Sequence, residues 1–63
     1  MQPVYPITYN RGTREEITVR RWILNGKYNY TAEGYYADGS GPVETRRFYS
    51  RPGRAAAALE NRR

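Results

Sequence analysis

The chain has 63 residues, a net charge of +5, and neither cysteine nor histidine. A chain of this length forms one small domain without room for a deep enzyme pocket. The missing residue types exclude disulfides, thiolate nucleophiles, the usual zinc sites and the commonest general base. No apolar run is long enough to span a membrane, and the first residues do not have the pattern of a signal peptide. We therefore expect a cytoplasmic protein that has no cofactor and is not an enzyme.

The first predicted element is a short strand over residues 4–9. Pro6 cannot donate a hydrogen bond to a neighbouring strand, which favours a position at the edge of a sheet. The sequence Asn10-Arg11-Gly12 then has the composition of a turn. An exposed edge strand also permits pairing between two copies of the chain, so a homodimer through this edge is one expected assembly.

A hairpin with strands over residues 17–24 and 27–36 follows. Asn25-Gly26 is the pair that a type I′ turn prefers, because both central positions need a positive φ. Pairing outward from this turn places Leu24 opposite Lys27 and divides the side chains between two faces. One face is apolar except for Arg21 and collects Ile17, Val19, Ile23, Tyr28, Tyr30 and Ala32. The other face collects Thr18, Arg20, Trp22, Leu24, Lys27, Asn29, Thr31 and Glu33.

A last strand is predicted over residues 43–50, after a loop of turn-forming residues at 37–42. A six-residue loop fixes the register of a hairpin less tightly than a two-residue turn does. The expected cross-strand pairs are Tyr36 with Val43, Glu33 with Arg46, Thr31 with Phe48 and Tyr30 with Tyr49.

A helix is predicted over residues 52–61, because Pro52 suits a first helical turn, Ser50 suits a cap and an alanine run follows. Its thin apolar stripe of Ala55, Ala56 and Leu59 suits close packing on the tyrosine-rich face of the sheet. The predicted fold class is α+β: a small antiparallel β-meander of three or four strands, with one C-terminal α-helix packed on one face. The whole chain, residues 1–63, is one domain.

A winged helix is the alternative fold. The segment TVRRWILNGKY, residues 18–28, resembles the recognition-helix segment of excisionase and MerR-type winged-helix proteins, and RRFYSR would then belong to a wing. The spacing from Thr13 to Glu16 is that of a capping box. The resemblance implies a helix in place of the first hairpin strand. In helical geometry, however, the apolar residues of this segment form no single stripe, so the meander is our main prediction.

The face that the helix leaves uncovered is the predicted binding surface. It combines aromatic rings with cations, as single-stranded nucleic acid binders do, where rings stack on bases and cations follow the phosphates. The first functional hypothesis is therefore a non-catalytic accessory or regulatory protein that binds DNA or RNA. The candidate binding residues, including two arginines of the helical tail, are Arg20, Trp22, Lys27, Tyr35, Arg46, Phe48, Arg51 and Arg54.

The positive charge comes from ten arginines and one lysine, which points to a polyanionic or acidic partner or else to a GC-rich coding sequence. The alternative function is capture of an acidic host protein through Trp, Tyr and Arg anchors, as small inhibitors or adaptors of bacteriophages and mobile elements do. A structural alternative also stands: Trp22, Leu24 and Phe48 form a second small core, covered by the N-terminal segment or by another subunit.

Overall fold

The computed structural model describes residues 3–63. Four antiparallel strands follow one another in the sheet in chain order, and one helix packs against them. The elements are β1 (Ile7–Tyr9), β2 (Ile17–Leu24), β3 (Lys27–Gly34), β4 (Val43–Glu44) and α1 (Pro52–Arg62). This arrangement confirms the predicted α+β meander. Because residues 17–24 form a strand, the winged-helix alternative is not needed.

The predicted boundaries of four elements need correction. The first strand covers Ile7–Tyr9 and not residues 4–9, and β3 ends at Gly34, two residues before the predicted end. The strand predicted over residues 43–50 is regular only at Val43–Glu44, followed by an isolated bridge at Tyr49. The helix extends one residue further than predicted, to Arg62.

The turn between β2 and β3 fixes the centre of the sheet. Asn25 and Gly26 have φ values of 51° and 75°, as a type I′ turn requires. The strands pair in the predicted register, from Leu24 opposite Lys27 at the turn to Ile17 opposite Gly34 at the other end. Val19 and Ala32 lie opposite each other and are each only 1% exposed. The register therefore separates a buried face from an uncovered one, as predicted.

Strand β1 lies at the edge of the sheet and pairs with the first half of β2. The predicted turn follows it: Asn10 and Gly12 both have positive φ, and the Thr13 N–H donates to the Asn10 carbonyl at 3.1 Å. Short side chains and left-handed backbone at these two positions reverse the chain within a few residues. The edge position and the turn are both confirmed.

Helix α1 covers one half of one sheet face. The predicted stripe is confirmed: Ala55 and Leu59 are fully buried, and Ala56 packs against the core. Pro52 occupies the first turn, but the N-cap is Arg51, which makes no side-chain capping bond, so the predicted cap at Ser50 is wrong. The buried core consists of Ile17, Val19, Tyr30, Ala32, Val43, Ala55 and Leu59.

The C-terminal end of the helix is attached to the sheet by the side chain of Arg63, which is 7% exposed. Its guanidinium donates to the backbone carbonyls of Glu15, Glu16 and Tyr35 at 2.9, 3.0 and 3.3 Å, and to the Glu60 carboxylate at 2.6 Å. The chain leaves the ladder after Gly34: the Tyr35 carbonyl accepts from Arg63, and the Tyr36 N–H donates to the Ser40 carbonyl at 2.9 Å.

Close approach of the backbone to the helix requires glycine at position 34. A Cβ atom there would lie 2.7 Å from the Glu16 carbonyl oxygen and 3.3 Å from a Leu59 methyl carbon. The first distance is far inside van der Waals contact with a backbone atom that cannot easily move. The absence of a side chain at Gly34 therefore allows Leu59 and Arg63 to reach the sheet.

The turn can be tested by making the same substitution at two glycines. Gly26→Ala should lower the free energy of unfolding by about 1 kcal/mol, because alanine tolerates positive φ poorly. Gly53→Ala, inside the helix at ordinary φ with open space around it, should raise it by up to about 1 kcal/mol. Chemical denaturation measures both changes. Equal effects of the two substitutions would contradict the type I′ turn.

The attachment of the helix can be tested with two neighbouring arginines. Arg63→Ala should destabilise the domain by about 2 kcal/mol or more, because three backbone carbonyls, one of them partly buried, lose a charged donor. Arg62→Ala removes the same charge and should cost less than about 0.5 kcal/mol. The measurement is again the free energy of unfolding. Similar losses for the two variants would show that charge at the helix end matters, and not the hydrogen bonds of Arg63.

Candidate functional site

The side chains of β2 and β3 that point away from the helix form one surface, which we call the open face. Within residues 3–63, no helix packs on the open face, since α1 packs on the opposite, buried face of the sheet. The open face is therefore available for binding. Its members are Thr18, Arg20, Trp22, Leu24, Lys27, Asn29, Thr31 and Glu33.

Two aromatic rings stand together on the open face. Trp22 and Phe48 pack edge to face, with their centroids 6.2 Å apart and an angle of 82° between the planes. The indole N–H donates to the Thr31 hydroxyl at 2.9 Å, so the polar group of the tryptophan is satisfied within the protein. Trp22 is nevertheless 45% exposed and Phe48 49% exposed. Residues 3–63 thus provide no cover that would make this pair a second core.

A bulge places the next residues beside these rings. The Thr45 N–H donates to the Ala32 carbonyl at 2.9 Å, and the next backbone pairing joins Tyr49 to Tyr30. Between these pairings, residues 46–48 stand opposite the single residue Thr31. An insertion of this kind interrupts the ladder and changes the direction of side chains. Here it presents Arg46 and Arg47 at the surface, both exposed.

Because of the bulge, most of the register predicted for residues 43–50 is wrong. Val43 lies opposite Gly34 and not Tyr36, and Glu44, not Arg46, lies opposite Glu33. The predicted pairing of Thr31 with Phe48 falls within the bulge, whereas that of Tyr30 with Tyr49 is confirmed. The predicted strand assumed unbroken alternation from 43 to 50. The two extra residues of the bulge invalidate that assumption.

Thr45 maintains the bulge from within the protein. Its side chain is buried, and its hydroxyl accepts a hydrogen bond from the Ala32 N–H at 3.2 Å. The hydroxyl thus takes the place of a backbone carbonyl at the point where the ladder is interrupted. A buried N–H without such an acceptor would be costly.

The rings and the bulge enclose a shallow pocket of about 250 Å³. This volume lies just below the roughly 300–1,000 Å³ of sites for drug-sized ligands, so the pocket has room for one small group. Arg47 was missed in the sequence, because strict alternation directs it to the opposite face. The residues that line the pocket are Trp22, Thr31, Glu44, Thr45, Arg46, Arg47 and Phe48.

The charges around the pocket are mixed. Arg20 forms an ion pair with Glu33 at 2.6 Å, both partly exposed, and Glu33 lies opposite Glu44 across the ladder. Arg20, on the far side of β3 from Glu44, compensates the charge of Glu33 and so weakens the repulsion between the two carboxylates. In the part of the chain described, residues 3–63, Arg46 and Arg47 take part in no ion pair. They, and not Arg20, are the cations available to an anionic ligand.

The structure does not bring all the predicted binding residues together. Tyr35 follows the end of β3, six positions beyond Asn29, which lies opposite Trp22, and this corresponds to roughly 20 Å. Arg51 caps the helix and Arg54 lies within it, on the element that covers the other face. Lys27 belongs to the open face at the turn, opposite Leu24. Arg20, Trp22, Lys27, Arg46 and Phe48 share one surface.

Arg21, the one charged residue of the apolar face, packs against two tyrosine rings near the end of the hairpin. The guanidinium of Arg21 lies over the rings of Tyr5 and Tyr28, 4.9 and 4.2 Å from their centroids. Burial, with smaller contributions from Tyr30 and Tyr9, raises the pKa of Tyr5, and Arg21 acts against this shift. Cation–π contacts thus stabilise the part of the sheet that the helix does not reach.

Comparisons with protein-family models, with curated proteins and with solved structures gave no match. The assignment of a function therefore depends on the site itself. Across residues 3–63, no group of three or more metal-ligating side chains is placed to hold a metal ion. Among the described residues, no helix combines the length and the apolar character needed to cross a membrane.

The role of Thr45 can be tested with two conservative substitutions. Thr45→Val keeps the shape but leaves the Ala32 N–H without an acceptor, and should cost about 1–3 kcal/mol of stability. Thr45→Ser keeps the hydroxyl and should cost about 1 kcal/mol or less, for one lost methyl group. Hydrogen exchange at the Ala32 amide reports the local change. Unchanged protection of that amide in Thr45→Val would contradict the assigned bond.

Proposed function

We propose that the protein binds single-stranded nucleic acid, without catalysis, through the open face. The observation that carries this proposal is the half-exposed Trp22–Phe48 pair beside the two arginines of the bulge. Each base has a flat π-surface that stacks on such rings at about 1–3 kcal/mol per base, whatever its sequence. Arginine guanidinium groups bind the phosphates between the bases.

The position of the pair supports stacking on a ligand. Since Trp22 already gives its N–H to Thr31, the parts of the ring that remain available are apolar. Trp22 and Phe48 are each about half exposed, so part of each ring surface is open to solvent. Arg46 and Arg47 line the same pocket as Phe48. A strand that crosses the pocket therefore meets rings and cations together.

Trp22 is the only tryptophan of the chain, so its fluorescence reports directly on this site. Oligothymidylate should quench it, since a base stacks on the indole. Trp22→Ala and Phe48→Ala should each weaken binding by roughly tenfold, measured with a labelled oligonucleotide. Tyr35→Ala is the matched control, because Tyr35 is exposed to a similar extent, 47%, at the other end of the sheet. Equal losses for Trp22→Ala and Tyr35→Ala would contradict a binding site at the pocket.

The cations can be tested by the dependence of affinity on salt. Arg46→Gln and Arg47→Gln should each reduce the slope of log affinity against log salt by up to about one unit. Arg20→Gln should reduce it less, since Arg20 is paired with Glu33. The ring substitutions should leave the slope almost unchanged. A slope that does not respond to Arg46 or Arg47 would exclude the bulge as the phosphate contact.

A second candidate function is binding of an acidic host protein through the hairpin end. Ile23 is 70% exposed and lies opposite Tyr28, which is also exposed, on the side away from the open face. Apolar and aromatic residues at such positions act as anchors in protein interfaces. Ile23→Ser should abolish capture of a protein partner and leave oligonucleotide binding intact. Pull-downs with and without nuclease separate the two functions.

A further inference from the structure

We infer that the carboxylate of Glu44 makes the pocket selective for guanine. This inference rests on the proposed binding of single-stranded nucleic acid. Phosphate binding by the two arginines does not explain why a carboxylate lines the same pocket. Glu44 lines the pocket together with Trp22, Phe48 and the two arginines of the bulge.

Glu44 has the properties of a recognition group. It is exposed, and in residues 3–63 it takes part in no ion pair, although two arginines line the same pocket. The charge of its cross-strand neighbour Glu33 is compensated by Arg20 at 2.6 Å, whereas no such partner stands beside Glu44 within residues 3–63. A carboxylate there repels phosphate, so its favourable contact with a nucleic acid is with hydrogen-bond donors on a base.

The donor pattern of the bases selects guanine. An ionised carboxylate has two acceptor oxygens and no donor. Guanine presents two adjacent donors, the N1–H and the 2-amino group, which match the two oxygens. Adenine and cytosine present one amino group next to a ring nitrogen that is itself an acceptor, and the carboxylate repels that nitrogen. In thymine and uracil the single N–H stands between two carbonyls.

The geometry of the pocket suits this recognition. Unstacked bases of single strands are read by stacking on aromatic rings together with hydrogen bonds to their Watson–Crick edge. Trp22 and Phe48 supply the rings, and Glu44 stands on the strand that leads directly into the bulge. Arg46 and Arg47 then bind the flanking phosphates. The stacking surface, the base-edge acceptor and the phosphate donors thus belong to one continuous pocket.

The test compares oligothymidylates that differ at one central position, with guanine, inosine, adenine, cytosine or thymine there. The wild-type protein should bind the guanine oligonucleotide roughly tenfold more tightly than the others. Inosine lacks only the 2-amino group, so it should lose most of this preference. The comparison needs no variant of the protein. Oligouridylates with the same central bases show whether the guanine belongs to RNA or to DNA.

Two charge-matched variants assign the effect to Glu44. Glu44→Gln should reduce the guanine preference to about twofold or less and bind plain oligothymidylate more tightly, because a negative charge near the phosphates is removed. Glu33→Gln removes a charge directly across the ladder and releases Arg20, so it should also strengthen binding but should keep the preference. Thermal unfolding verifies that both variants fold.

The outcomes distinguish this inference from the function on which it rests. Binding that depends on Trp22 but is equal for all central bases overturns the guanine inference and leaves the proposed function standing. A guanine preference that survives Glu44→Gln overturns the assignment to Glu44. If no oligonucleotide binds at all, both the proposed function and the inference are wrong.

Discussion

The register of the β2–β3 hairpin is the constraint on which the rest of the structure depends. Two residues with positive φ at the turn allow one pairing of the strands. A slip by one residue would put Arg20 beneath the helix and turn Val19 to solvent, because side chains alternate between the faces. One two-residue turn thus determines both the sheet face on which the helix packs and the open face.

The core that this register creates covers only half of the hairpin. Ile17 and Val19 lie beneath the helix, whereas Ile23 and Tyr28, further toward the turn, are exposed. Surface contacts stabilise the projecting half instead: Arg21 over two tyrosines on one side, and the Trp22–Phe48 pair on the other. Aromatic residues therefore hold the projecting end in place without being buried. The same rings are available to a ligand on a rigid support.

Local patterns in the sequence were sufficient for the fold class, the hairpin register and the helical stripe. These features follow from short-range signals: an Asn-Gly pair, alternation and an alanine run. The bulge was not predictable, because it depends on the hydroxyl of Thr45 replacing a backbone acceptor across the sheet. The attachment of the helix by Arg63 was equally unpredictable, since nothing in the local sequence distinguishes Arg63 from Arg62. Both depend on contacts between residues distant in the chain.

The candidate site was predicted in part for the same reason. Alternation along the central hairpin correctly placed Arg20, Trp22 and Lys27 on one face. Beyond Glu44 alternation fails, so Arg47 was missed and Arg46 was assigned to a pairing that does not form. Tyr35 was included by its nearness in sequence, although the strand carries it to the other end of the sheet. The sequence predicted the site reliably only for β2 and β3, whose register the Asn25-Gly26 turn fixes.

The bulge is the feature that stability alone does not explain. A sheet that served only the core would continue its ladder from Glu44 to Tyr49, with every backbone group paired. Instead the ladder is interrupted opposite Thr31, and a threonine side chain supplies the missing acceptor. The interruption brings Arg46 and Arg47, which form no ion pair within residues 3–63, beside exposed rings that already have a structural role. Bulges are over-represented next to functional sites because they change the direction of side chains. What this bulge redirects is positive charge, which it places beside the exposed Trp22–Phe48 pair.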